Sequence, residues 1–342
     1  MKLVLLLAAV LQFHPIGDDP TRVTVTADPA AEGDRLTLHR LEPGGGRGPA
    51  MFAEVASEGG RRTLSPLVPL SRGESYVAVL SRKGVEPETR TYTVPEARMA
   101  VAPRVKAIHP RADQLPANLL KFYLYFDQPM REGREIFDLI QLIDDKGKPV
   151  HAPWRRMELW SKDATRLTLW VHPGRVKQGV NLREQLGPVL HPGRRYTLRI
   201  SGSLRSASGV PMGGDFERHF TTLPEDHTRI QPDEWTFRLP VSGGKDALSI
   251  QAGKPLDHAL LERHLSLLGP DGREVPFGVE VGKDESMWSM IPRSPWKPGR
   301  YRLLAGEYLE DLCGNTPARV FDTDLQKGEE DIRSVERVFW ID

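Results

Sequence analysis

The sequence predicts an all-β fold built as three tandem antiparallel β-sandwich domains. Three observations lead there. Short runs alternate apolar and polar side chains with a period of two, as half-buried strands do. Glycine and proline are abundant, 31 and 29 residues, and are spread along the chain as many turns between short strands require. A block of roughly 100 residues, the size of one small sandwich, replays its turns in the same order.

The chain of 342 residues opens with Lys2 and the apolar run LVLLLAAVL, Leu3 to Leu11. A positive residue followed by a short apolar stretch reads as a secretory leader over residues 1–17, with Pro15 and Gly17 the nearest cues to a cleavage point. The run is too short for a bilayer, which takes about 20 apolar residues, and no other stretch is long enough to span a membrane. A buried first strand or an interfacial anchor is the alternative. The expected location is outside the cytoplasm: periplasm, cell surface or medium.

Residues 18–97 form the first domain. VTVTA (Val23 to Ala27), RLTLHRL (Arg35 to Leu41), MFAEVA (Met51 to Ala56) and SYVAVL (Ser75 to Leu80) all alternate. Gly44-Gly45-Gly46 is a flexible turn and not a phosphate loop, because no Lys-Ser or Lys-Thr follows it. The second domain spans 102–222. FYLYFDQPM (Phe122 to Met130) is a strand ending in a proline turn, and LIQLIDDKGKPV (Leu139 to Val150) is a strand followed by a polar turn. LTLWVHPG (Leu167 to Gly174), HPGRRYTLRI (His191 to Ile200), LRSASGVPM (Leu204 to Met212) and FERHFTT (Phe216 to Thr222) follow. An inserted loop, 174–192, is too long for a hairpin turn.

The third domain, 226–325, repeats this order. LSIQAGKPLD (Leu248 to Asp257) and HLSLLGPDGREV (His264 to Val275) match the proline turn and hairpin, and KPGRYRLLAG (Lys297 to Gly306) matches HPGRRYTLRI. LEDLCGNTP (Leu309 to Pro317) matches LRSASGVPM, and FDT (Phe321 to Thr323) matches FTT. Arg72 to Tyr76 in the first domain is a looser copy of the same Pro-Gly-Arg-Tyr turn. The tail, 326–342, is charged and then apolar, and is expected to dock as a strand or short helix on a neighbouring domain. The linkers near 95–103 and 223–232 carry proline and charge, which makes semi-stiff joints.

On PRVKAIHPRADQLP (Pro103 to Pro116), FYLYFDQPM, PGRRYTLRI, LRSASGVPM and FTT, the second domain resembles bacterial immunoglobulin-like domains of the S-layer SbsA type. The third resembles the same family through PGRYRLLA, LEDLCGNTP and FDT. The resemblance implies three immunoglobulin-like sandwiches. It is nearly silent on function, since such domains serve as spacers, surface-layer units and accessory modules.

The chemistry of the side chains narrows the role further. Lys plus Arg (47) and Asp plus Glu (46) leave a net charge of +1, so no basic field attracts nucleic acid. Cys313 is the only cysteine, so no intrachain disulfide is available, and it reads as a small buried apolar residue. No G-x-S-x-G, H-E-x-x-H or P-loop is present, and Ser242-Gly243-Gly244-Lys245 lies in a turn. The ten histidines show no ligand spacing, and His109, His172 and His191 each precede proline, as turn residues do. Asp144-Asp145, Asp271 and Asp311 with Asn315 read as turn formers and not as calcium ligands. No cofactor and no metal are expected.

One pattern points to a ligand. In Phe122 to Asp127, Phe122, Leu124 and Phe126 share the core face, and Tyr123 and Tyr125 turn the other way. Trp170 and Trp160 alternate outward in the same manner. Outward Tyr123, Tyr125, Trp160 and Trp170 form a candidate sugar-binding surface, unless the inserted loop or another domain covers them. The expected role is a non-catalytic exported structural or interaction module. Its partner class is a cell-wall or extracellular polysaccharide or an envelope protein. A carbohydrate-binding protein and an enzyme with an interdomain site are the alternatives.

Overall fold

Alternation places one face of each strand in a core, and three separate stretches of alternating strands make three cores. A computed structural model describes residues 9–342 apart from 18, 43, 97–100, 180, 283 and 323–333. Its strands form six sheets, paired as three sandwiches. The all-β class of antiparallel sandwiches holds, with only short helices among the described residues. No helix among the described residues is long and apolar enough to cross a membrane. The chain divides into two compact units. Unit 1 is Met1–Pro103 with Gln128–Arg131 and Ser203–Gly213, and unit 2 is Arg104–Asp127, Glu132–Gly202 and Gly214–Asp342.

Unit 1 holds the first sandwich. One sheet orders Val10–Ile16, Asp19–Asp28, Arg61–Pro66 and Ala53–Glu58. The other orders Arg47–Ala50, Arg35–Leu41, Ser75–Arg82 and Val85–Thr93. Val23, Val25, Ala27, Leu36, Leu38, Leu64 and Leu80 fill its core. Val10–Ile16 pairs antiparallel with Asp19–Asp28, and Leu11 joins the core. The leader expected over 1–17 therefore overlaps a strand of this sheet, and a cut after Gly17 would remove that strand. Residues 1–8 lie outside the described residues.

Unit 2 holds the middle and third sandwiches. In the middle one, one sheet orders Gln114–Pro116, Phe216–Leu223, Arg195–Ile200 and Ile140–Ile143. The facing sheet orders Arg166–Trp170, Lys121–Phe126 and Val105–His109. Phe122 meets Phe220 across the core at 5.7 Å. In the third, Thr236–Arg238, Leu248–Gln251, Met287–Pro292 and Phe277–Val281 face Leu265–Leu268, Gly299–Gly306 and Ser334–Ile341. Trp235 and Trp288 meet edge to face at 5.0 Å in its core. Trp296 caps that core, its indole N–H donating to the Asp246 carbonyl at 2.7 Å.

The tail expected to reach a neighbouring domain instead completes the third sandwich. Ser334–Ile341 pairs with the full length of Gly299–Gly306, from Gly306 opposite Ser334 to Gly299 opposite Ile341. It occupies the position that Phe216–Leu223 takes beside Arg195–Ile200 in the middle sandwich. FDT resembles FTT, but Phe321 and Asp322 form a turn. The closing strand comes later because Phe339 and Ile341, and not Phe321, carry the alternation that the open core edge accepts.

A shared corner marks the repeat in all three sandwiches. The Tyr76 hydroxyl accepts from Ser71 N–H at 2.9 Å, Tyr196 from His191 N–H at 3.0 Å and Tyr301 from Lys297 N–H at 3.0 Å. Each tyrosine starts a strand just after a glycine turn, and its hydroxyl ties the strand to the preceding loop.

The described residues of the insertion 174–192 form a brace with two short helices, Pro173–Val176 and Asn181–Leu186. Arg175 is buried inside it. Its guanidinium donates to the carbonyls of Gly187 at 2.9 Å, Pro188 at 3.0 Å and Ala152 at 3.2 Å, and to that of His151. Arg175→Ala removes the one side chain that ties these four carbonyls together and leaves a hole where the buried guanidinium packed. Because those carbonyls lie at exposed or half-exposed residues and can be solvated, it is expected to cost about 1.5 kcal/mol, read as a lower urea midpoint at unchanged slope.

Candidate functional site

The sheet Val105–His109, Lys121–Phe126, Arg166–Trp170 has a core face and an outer face. Cross-strand pairing puts Lys121 beside Trp170, Tyr123 between His109 and Thr168, and Tyr125 beside Arg166 on the outer face. The alternation read from the sequence holds for Tyr123, Tyr125 and Trp170, whereas Trp160 stands opposite core-facing Leu167 and so turns to the core side. The outer face is itself covered.

The cover comes from the third sandwich. Asp257 caps the helix His258–His264, its carboxylate accepting from the N–H groups of Ala259 at 3.0 Å and Leu260 at 3.2 Å. The same carboxylate receives the Tyr123 hydroxyl at 2.8 and 2.9 Å. Lys121 Nζ lies 3.3 Å from Asp257 and 2.5 Å from Glu310. Tyr123 is 6% exposed and Asp257 4%. Burial first, then the Asp257 carboxylate, holds the Tyr123 phenol far above its usual range. Burial pulls Lys121 down, but Asp257 and Glu310 outweigh it and the ammonium is stabilised.

The expected open platform of Tyr123, Tyr125, Trp160 and Trp170 is therefore not formed. Tyr123 is buried, with its hydroxyl committed to Asp257. Tyr125 is half-buried and meets the rings of His109 and His258 edge-on at 5.6 and 6.0 Å. Trp170 is half-buried and carries the Lys121 ammonium over its ring at 5.2 Å. Trp160 packs on Phe126 at 6.1 Å. The rings stack against groups of this chain because tyrosine and tryptophan combine large apolar area with one polar atom, which suits them to a wet domain junction as well as to a sugar.

A second patch of the junction is built around Lys254. Its ammonium lies 2.8 Å from Asp226 Oδ2, 2.7 Å from Asp311 Oδ2 and 2.7 Å from the Thr228 carbonyl. Asp311 also accepts from Cys313 N–H at 2.8 Å and Asn315 N–H at 2.9 Å. Burial pushes the Asp311 carboxyl up, and Lys254 offsets part of that. Asn118 of the middle sandwich exchanges hydrogen bonds with the Asp226 backbone, 2.8 and 2.9 Å, and accepts the Cys313 thiol at 3.0 Å. Burial, then Asp311, raises the Cys313 thiol, so this cysteine packs as a small buried residue. Gly314 is required here: its φ is +78°, and a Cβ would come within 2.3 Å of Leu120.

The insertion reaches the same junction. Lys177 lies over the Phe321 ring at 4.6 Å, Gln178 N–H donates to Asp322 at 2.9 Å, and Arg183 pairs with Glu225 at 2.6 Å. The joint expected at 223–232 is therefore bonded on both sides.

The third patch was not legible in the sequence. His109, His258 and Glu285 place donor atoms within 4.8 Å of one another. The His109 and His258 rings stack at 3.5 Å, with 19° between their planes. Glu285 Oε1 accepts from His109 Nδ1 at 2.9 Å and from Arg111 N–H at 2.7 Å. Burial first, then His109, Arg111 and Arg166, lowers His258 to about 4. His109 thus does more than lead into a proline turn. Its partner Glu285 stands 176 positions away, beyond any local spacing rule.

No protein-family model matches the chain, and no curated protein matches it in sequence. Among solved structures, the chain is similar to native alpha-2-macroglobulin from Escherichia coli, domains MG0-NIE-MG1, at 13% identity and a TM-score of 0.25. That likeness covers 60% of this chain and 66% of that one. It is also similar to the N-terminal part of the bacterial S-layer protein SbsC, at 10% identity and a TM-score of 0.27, over 71% of this chain and 44% of that one. A third likeness is to the N-terminal eight Ig domains of Down Syndrome Cell Adhesion Molecule. It has 11% identity and a TM-score of 0.18, over 94% of this chain and 39% of that one.

Proposed function

We propose that the chain is an exported, non-catalytic structural module of a bacterial envelope or cell surface, in which the middle and third sandwiches act as one docked spacer. The observation that carries this reading is the docking of the third sandwich on the aromatic face of the middle one, where Asp257 holds the Tyr123 hydroxyl. The SbsA-type resemblance of the two repeats supports the same role, and so does the apolar run from Leu3, although its end from Val10 is a strand of the first sandwich. An envelope protein fits as partner better than a cell-wall or extracellular polysaccharide, because the rings a sugar would stack on are engaged within the chain. An interdomain enzyme site has less support, since the ionisable groups described at the junction are paired with one another, Lys121 with Asp257 and Glu310, and Lys254 with Asp226 and Asp311.

Fractionation of bacteria producing the tagged full chain is expected to recover it in the envelope or medium. The purified protein is expected to show no saturable retention on a panel of envelope and plant-type polysaccharides, and Trp170→Ala is expected to behave alike. Recovery in the cytosol alone would remove the export reading. Saturable retention lost in Trp170→Ala would replace the spacer with a carbohydrate-binding protein.

A further inference from the structure

The His109–His258–Glu285 cluster holds more donor capacity than its neighbours use. Glu285 is 0% exposed, and its Oε2 has no hydrogen-bond partner among the described residues. His258 Nδ1, also buried, is in the same condition. Buried polar atoms are nearly always paired, so two unpaired polar atoms within one cluster of three residues call for an occupant. Glu285 also holds a φ of +55°, a left-handed conformation that costs a non-glycine residue and tends to persist where a site requires it.

The donor types define the occupant. Two imidazoles and one carboxylate are the set that zinc and its neighbours in the first transition row accept, whereas calcium and magnesium take oxygen donors. The stacked rings do not aim their lone pairs at one point, so one imidazole must turn. His258, half-buried at the first turn of its helix, is the ring placed to do so. Arg111, Arg166 and Arg218 are close enough to disfavour a cation, and they hold the affinity below what three donors alone would give.

We propose that His109, His258 and Glu285 bind a zinc-class divalent cation, with one position left for water, and that the ion ties the middle sandwich to the third. His109 belongs to the middle sandwich, and His258 and Glu285 to the third, so the site exists only when the two are docked. This inference rests on the docked geometry and stands apart from the envelope role.

The test is titration of chelator-stripped full-length protein with zinc chloride in a calorimeter, beside cobalt(II) as a spectroscopic probe. The expected result is one saturable zinc site, visible cobalt bands of a low-coordinate nitrogen–oxygen site, and no displacement by calcium or magnesium. His258→Ala and Glu285→Gln are each expected to weaken binding on the order of tenfold or more. Should Glu285→Gln fail to fold by circular dichroism, His258→Ala, at a less buried position, decides. Absence of stoichiometric zinc binding, or zinc held as tightly by folded His258→Ala as by the parent, overturns the proposal.

Discussion

Replacing Asp257 with alanine is expected to destabilise unit 2 by about 4 kcal/mol. Three losses combine. The helix His258–His264 loses the side chain that accepts from Ala259 and Leu260 N–H. The buried Tyr123 hydroxyl loses both carboxylate oxygens. Lys121 keeps Glu310 but loses its buried partner. For a unit of this size, that free energy lowers the thermal midpoint by about 10 °C. Asp257→Asn keeps a capping oxygen and is expected to cost less, and Tyr123→Phe about 1 kcal/mol. The double variant Tyr123→Phe/Asp257→Ala is expected to fall short of the sum, because both changes remove one shared bond. Strict additivity would show that the two groups do not interact in solution.

The second large effect lies at the end of the chain. Phe339 is 6% exposed, stacked on Tyr301 at 5.6 Å with 8° between planes and on Phe237 at 5.5 Å. Phe339→Ala empties the middle of that stack and is expected to cost about 4 kcal/mol. Removing 334–342 takes away Phe339 and Ile341 together and leaves Gly299–Gly306 as a bare edge with Tyr301 and Leu303 uncovered. The truncated chain is expected to aggregate on expression, as unprotected edges do. Trp340→Ala is the control. That ring is 62% exposed, on the outer face of the same strand, and its loss is expected to stay within about 0.5 kcal/mol. A soluble truncated chain with an unchanged thermal midpoint would mean that the strand is not part of the third sandwich.

These two regions also show what the sequence could disclose. Period-two alternation is local, so the strands, the repeat and the opposite facing of Phe122 and Tyr123 are readable from neighbouring residues. The Pro-Gly-Arg-Tyr turns are readable for the same reason, since the glycine turn, the tyrosine and the N–H it bonds lie within a few positions of one another. The closing strand of the third sandwich was hidden by a short similarity, FDT to FTT, that outweighed the longer alternation at Val335 to Ile341. What covers Tyr123 depends on Asp257, 134 positions later. The Glu285 carboxylate sits in a polar turn, Gly282 to Ser286, that gives no hint of burial. Local patterns thus show which face turns away from a core, while only the docked structure shows whether that face meets solvent, a partner or another part of the same chain.

The measurement that bears most directly on the docked pair is hydrogen exchange by mass spectrometry on the full chain, comparing the parent with Asp257→Ala. If the junction makes one cooperative unit, peptides covering Lys121–Phe126 in the middle sandwich and Gly299–Gly306 in the third lose protection together and by the same factor. If only the third-sandwich peptides respond, the two sandwiches open independently, and the aromatic face of the middle domain is free for a ligand after all.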